Sequence, residues 1–145
     1  MIAVDTNVLV HAHRADSALH ARAREAVRAL AEGQAPWAIP WPCAHEFLAI
    51  VTHPRIFEPA TPMPRAIAQL RAWMGSSVVQ ILAELPEHLD VLAELLETSK
   101  AAGARVHDAR IAALCVAHGV TELWTADRDF SRFPRVRTKN PLISP

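Results

Sequence analysis

The first ten residues, Met1 to Val10, read MIAVDTNVLV. Ile2, Ala3 and Val4 form a short apolar run that fits the first strand of a buried parallel sheet better than a surface segment. A carboxylate follows at once, at Asp5. Asp5 and Thr6 can open a helix, because Asp is a preferred N-cap whose side chain satisfies backbone N–H groups left without partners. Capping and chemistry are both open to Asp5 on this stretch alone, and the rest of the chain must decide between them.

A chain of 145 residues fits one domain and can bury most of its apolar surface without disulfides or a structural metal. Fifteen basic and fifteen acidic residues cancel, so bulk charge favours neither a nucleic-acid nor a membrane partner. The charges are unevenly placed, however. Arg128, Arg132, Arg135, Arg137 and Lys139 form a basic run, and Glu87, Asp90, Glu94 and Glu97 form an acidic set at helical spacing. Cys43 and Cys115 belong to no C-x-x-C pair, which argues against a disulfide framework or a cysteine zinc site and suits a reducing cytosol. No apolar run approaches the roughly 20 residues that cross a bilayer, and a soluble, cytoplasmic protein is expected.

Strand and helix signals alternate along the chain. Ser17 is placed to cap a helix over residues 18–32, with Gly33 as its stop. PWAIPWP, residues 36–42, reads as a proline-flanked extended segment, and CAHEFLAIVTH, residues 43–53, as a helix that turns Phe47, Leu48 and Val51 inward. Residues 55–63 form a proline-rich loop, Pro64 opens a helix that ends at Met74, and VVQIL at 78–82 is a strand. Pro86 opens an amphipathic helix with Leu85, Leu89, Leu92, Ala93 and Leu96 on its apolar side. HDARIAALCVAHG at 107–119 is a further helix that buries Ile111, Leu114 and Cys115, LWTAD at 123–127 is a strand ending in a carboxylate, and RVRT at 135–138 is a last edge strand.

This alternation implies an α/β layer fold with a central, mostly parallel sheet, whose ligands bind beyond the carboxyl ends of the strands. Asp5 and Asp127 fall at that edge. Glu46 sits in the first turns of an apolar helix, where a lone charge is costly unless paired. Asp108 begins another apolar helix and is again a possible cap, and Asp129 lies on the turn after Asp127. Converging carboxylates repel one another and raise each other's pKa, a conflict that a divalent cation resolves. Hard oxygen donors select magnesium or manganese, and such a site suits phosphodiester hydrolysis.

MIAVDTNVLV, the isolated HEF, HDARIAAL and LWTADRDF, in this order and at these separations, resemble the PIN-domain nucleases, in particular the VapC-type toxins of bacterial toxin–antitoxin pairs. The resemblance spans essentially the whole chain. It implies a compact α/β/α sandwich and a Mg²⁺-dependent (or Mn²⁺-dependent) endoribonuclease that hydrolyses RNA by in-line attack of water. It further implies metal binding by Asp5 and Asp108, with Glu46, Asp127 and Asp129 completing the catalytic pocket and Asn7 and Thr125 ordering ligands or water. A cognate antitoxin protein and a homodimer are implied on the same ground. Two alternatives remain: a PIN-type RNA or DNA processing nuclease without a toxin role, and a non-catalytic module that keeps the acidic pocket for metal-dependent binding.

Other chemistries fit less well. His11 and His13 point apart on a helix, and after His45 the residue required for a metalloprotease histidine pair is Ala49. Four glycines form neither a P-loop nor a dinucleotide fingerprint. A haloacid-dehalogenase phosphatase needs a second aspartate two residues after the first, where this chain has Asn7. Trp37, Trp41 and Trp124 flank apolar stretches and are expected in the core, and Arg128, Arg132 or Arg135 is expected to meet RNA phosphates.

Overall fold

In the computed structural model, which describes residues 1–144, β1 (Ile2–Val4) is the middle strand of a five-stranded sheet of order β3-β2-β1-β4-β5. β2 spans Trp37–Pro40, β3 Val79–Leu82, β4 Glu122–Trp124 and β5 Thr138–Lys139. Every pairing is parallel, with Ile2 opposite Trp37 on one side and Glu122 on the other. The six helices are α1 (Thr6–His13), α2 (His20–Glu32), α3 (Trp41–Val51), α4 (Met63–Met74), α5 (His88–Ser99) and α6 (Arg105–Ala117). The chain builds outward from β1 through β2 to β3, then crosses back to lay β4 on the other side of β1. Strand order therefore reverses between β1 and β4, the place where open parallel sheets leave a crevice at their carboxyl edge.

Apolar side chains hold this frame together. Val4, Leu9, Trp37, Ile39, Phe47, Leu114 and Leu123 are fully buried. The Phe47 ring meets His13 edge-on at 5.4 Å and Trp73 at 5.2 Å, tying α1, α3 and α4 to one another. Gly33 closes α2 because a Cβ there would stand 2.9 Å from the Ala29 carbonyl oxygen, and Gly119 ends α6 with φ of 68°, a conformation that favours glycine.

Several local expectations need correction. Ser17 caps no helix: its hydroxyl accepts from the Leu19 N–H at 3.1 Å and bonds His11 Nδ1 at 2.6 Å, and α2 begins at His20. Trp41 and Pro42 form the first turn of α3 rather than an extended segment, since proline is tolerated where a helix leaves its N–H groups unpaired. Trp41 is accordingly not a core residue but 38% exposed. In α5 the inward stripe is Val91, Leu92 and Leu95, which leaves Leu89 at 73% exposure and Ala93 facing solvent. β5 begins at Thr138, because Val136 is taken up in a turn by its N–H bond to the Phe133 carbonyl. Asp108 is not a cap, as α6 starts three residues earlier, at Arg105.

Candidate active site

Strand β1 delivers Asp5 to the crevice, and the sheet fixes it there: its backbone N–H donates to the Trp124 carbonyl at 3.0 Å. The side chain does two things at once. Oδ1 accepts from the Thr6 N–H at 2.7 Å as the N-cap of α1, while Oδ2 accepts from the Thr125 hydroxyl at 2.7 Å and Asn7 Nδ2 at 3.1 Å. The buried Cys43 thiol adds a long contact to Oδ1 at 3.5 Å. Capping and site-building are thus one arrangement. Asp5 is only 4% exposed, and burial outweighs these hydrogen bonds, so its carboxyl lies above the usual range.

Thr125 and Asn7 form the hinge of the network. The Thr125 oxygen donates once, to Asp5, and accepts from Asn7 Nδ2 at 3.1 Å and the Asp127 N–H at 3.0 Å, which uses its single proton and both lone pairs. Asn7 Oδ1 accepts from the Ala126 N–H at 3.0 Å, so the amide is oriented from both ends. Thr125→Val keeps the shape and removes these bonds from a buried position. It is expected to lower metal affinity or turnover by 10- to 100-fold, measurable by metal titration and a cleavage assay.

The other acids arrive from three directions. Glu46, half-buried in α3, accepts from the Thr6 hydroxyl at 2.8 Å. Asp127 follows β4 and caps a short 3₁₀ turn over Arg128–Arg132 by accepting from the Asp129 N–H at 2.8 Å. Asp108 projects from the first turn of α6 and is half-buried. Its carboxyl is pushed up by burial first, and then by the charges of Asp127, Asp5, Asp129 and Glu46. One carboxylate thus feels all four others, although they come from well-separated stretches of the chain.

Among the described residues, Asp108, Asp127 and Asp129 each present a carboxylate oxygen within 4.8 Å of the other two. That convergence of hard oxygen donors, with repulsion left between them, fits magnesium or manganese and does not fit a soft metal. Asp5 is near enough for its charge to act on Asp108, and Glu46 reaches the α1 terminus through Thr6. The family resemblance implies Asp5 and Asp108 as the metal pair, and Asp108 also belongs to the group it forms with the two acids after β4. Two further contributors are visible only in the fold. Thr6 is one, since a hydroxyl beside a capping Asp carries no sequence signal of its own. Arg105 is the other: Nη1 lies 3.5 Å from Asp129 Oδ2 and is buried without a hydrogen bond, so it acts on the trio through charge alone.

Among the described residues no histidine joins the acidic group. His11 bonds Ser17, and His13 bonds Gln69 and Thr61. Of the basic run, Arg135 pairs with Glu94 at 3.0 Å and Arg137 with Glu122 at 3.7 Å. Arg128 and Arg132 lie on the 3₁₀ turn beside the acids and make no ion pair among the described residues.

The PIN domain model matches residues 2–136. Ribonuclease VapC43 of Mycobacterium tuberculosis is 34% identical over 142 residues, covering 98% of this chain and 96% of the relative. Ribonuclease VapC48 of the same species is 29% identical over 95% of each chain. Among solved structures, VapBC2 of Rickettsia felis bound to a promoter DNA fragment aligns over 97% of this chain and 98% of its own, with a TM-score of 0.69 at 20% identity. Mycobacterium tuberculosis VapC20, described as a toxin that cleaves the sarcin–ricin loop, aligns over 90% of this chain and 93% of its own, with a TM-score of 0.66 at 19% identity. With a family match over nearly its full length and four motif stretches meeting at one sheet edge, the chain belongs to the PIN domain family.

Proposed function

We propose that the protein is a single-domain endoribonuclease toxin that requires a divalent cation, Mg²⁺ or Mn²⁺, and hydrolyses RNA phosphodiester bonds. The observation that carries this reading is the convergence of Asp108, Asp127 and Asp129 within 4.8 Å, backed by relatives named as ribonucleases over nearly the whole chain. Asp108, Asp127 and Asp129 would hold the ion, with Asp5 and Glu46 near enough for their charges to act on Asp108. When bound, the cation supplies charge stabilisation to the phosphoryl oxygens and acidifies water. The chain's own part is to orient its acids through Thr6, Asn7 and Thr125. Arg128 and Arg132 are placed to meet backbone phosphates, an attraction that salt weakens.

The similarity to VapBC assemblies supports an antitoxin as partner, and a homodimer and a cytoplasmic setting are proposed on the family resemblance alone. Among the described residues no helix is long and apolar enough to cross a membrane. The test is cleavage of single-stranded and structured RNA with magnesium, with and without chelator, followed by sequencing of the new 5′ ends. Chelator-sensitive cuts are expected, and magnesium-independent turnover or none at all would reject the reading.

A pH prediction follows from the raised carboxyls of Asp5 and Asp108. Groups raised by folding favour the folded state below their unfolded pKa, and that contribution is lost as pH rises through their folded pKa. The metal-free protein therefore carries unrelieved repulsion at neutral pH, and a cation must displace any bound protons. The stabilisation by magnesium is expected to grow from pH 4 to pH 7, reaching about 2.7 kcal/mol at a hundredfold excess over the dissociation constant. Thermal unfolding at several pH values measures it.

A further inference from the structure

Trp41 is out of place for a large aromatic ring. Trp37 is fully buried and Trp73 is 8% exposed, but Trp41 is 38% exposed at the start of α3, where β2 ends at the crevice. It is not loose there. One helical turn on, the His45 ring lies 5.8 Å from it, centre to centre, at an interplanar angle of 31°, so the two form an inclined stack on the surface of α3.

His45 of this stack lines a cavity of about 240 Å³ together with Pro42, Glu46, His107 and Arg110, and Trp41, outside that lining, packs on His45 next to Pro42 at the cavity's edge. One wall is α3 and the other is the first turns of α6. Both walls also serve the acidic site, since Glu46 faces the cavity and Asp108 lies between His107 and Arg110. Arg110 is anchored to Glu84 at 2.5 Å, which holds that wall in place. The rings of His45 and His107 make no hydrogen bond among the described residues, leaving nitrogens to meet a polar ligand edge. An exposed indole, a tilted imidazole and unpaired ring nitrogens beside a cation-binding group have the chemistry that receives an unstacked base of single-stranded RNA.

We propose that the α3–α6 cleft is a nucleobase subsite, in which a base flanking the scissile phosphate stacks on Trp41 and His45 while its edge faces His107. The assignment deepens the ribonuclease reading and rests on it for the identity of the strand. Trp41 here is a specificity residue: it contacts substrate away from the reacting phosphate, so its loss weakens binding and leaves the chemical step alone.

The experiment compares wild type, Trp41→Ala and Trp41→Phe on a short single-stranded RNA with magnesium, together with RNA binding to Asp108→Asn followed by tryptophan emission. Trp41→Ala is expected to raise KM about tenfold with kcat within about twofold, and Trp41→Phe to recover most of the loss. Adding RNA to Asp108→Asn is expected to quench emission, and Trp41→Phe in that background to abolish the quench. Wild-type turnover with an unchanged KM in Trp41→Ala overturns the subsite. A KM increase that accompanies a change in sedimentation also overturns it, because Trp41 would then cover a second copy of the chain. If wild type cleaves no RNA the nuclease reading fails separately, and a Trp41-dependent quench would still support the cleft as a base-binding site.

Discussion

Asp108→Asn is expected to lower magnesium-dependent RNA cleavage by about 1,000-fold, the effect of losing several kcal/mol of charge stabilisation at the reacting phosphate. The same substitution is expected to raise the melting temperature of the metal-free protein. Asp108 is held above the ordinary carboxyl range by burial and by four neighbouring acids, and an amide of the same shape removes that repulsion. Because the side chain is half exposed, solvent screening holds the gain to about 1 kcal/mol or less, which is about 2–4 °C for a domain of this size. The gain should shrink as pH falls, since a protonated Asp108 is already neutral. Opposite changes in activity and stability are the signature of a site built at the expense of the fold. A variant that lost activity and melted earlier would show instead that Asp108 is structural.

Phe47→Ala is expected to destabilise the protein by about 3–5 kcal/mol, lowering the melting temperature by roughly 10 °C. Phe47 is fully buried and is clasped edge-on by His13 and Trp73, so truncation leaves a cavity bounded by three helices. Its neighbour Glu46 points the other way, toward the crevice. Glu46→Gln should leave the unfolding free energy within about 0.5 kcal/mol of wild type, as for a substitution outside the packed core, while reducing turnover. Thermal unfolding of the two variants side by side separates the face of α3 that supports the fold from the face that serves the site.

The two halves of the molecule were unequally legible in the sequence. The β1–Asp5 junction could be read because a buried strand followed at once by a carboxylate combines two strong local signals, and the LWTAD stretch repeats the pattern at β4. The rotation of α5 that exposes Leu89 and Ala93 is not legible in the sequence, since period alone does not set the rotation of a helix against its neighbours. The exposure of Trp41 is hidden for a related reason: proline at the second position of a helix resembles proline that breaks a strand. The five acids could be gathered as candidates, but their grouping could not. Which carboxylates approach within ligand distance depends on the reversal of strand order between β1 and β4 and on the extra turn that α6 makes before Asp108. Thr6 and Arg105 carry no pattern at all, and only the fold puts them beside Glu46 and Asp129.

In the proposed enzyme a bound dication relieves the mutual repulsion among Asp5, Glu46, Asp108, Asp127 and Asp129. Diffraction from crystals soaked in manganese, recorded for its anomalous signal, tests this most directly. A manganese peak is expected at coordination distance from the carboxylates of Asp108 and Asp127. A crystal saturated with manganese that shows no peak there, or shows one only at a site remote from these acids, would contradict it.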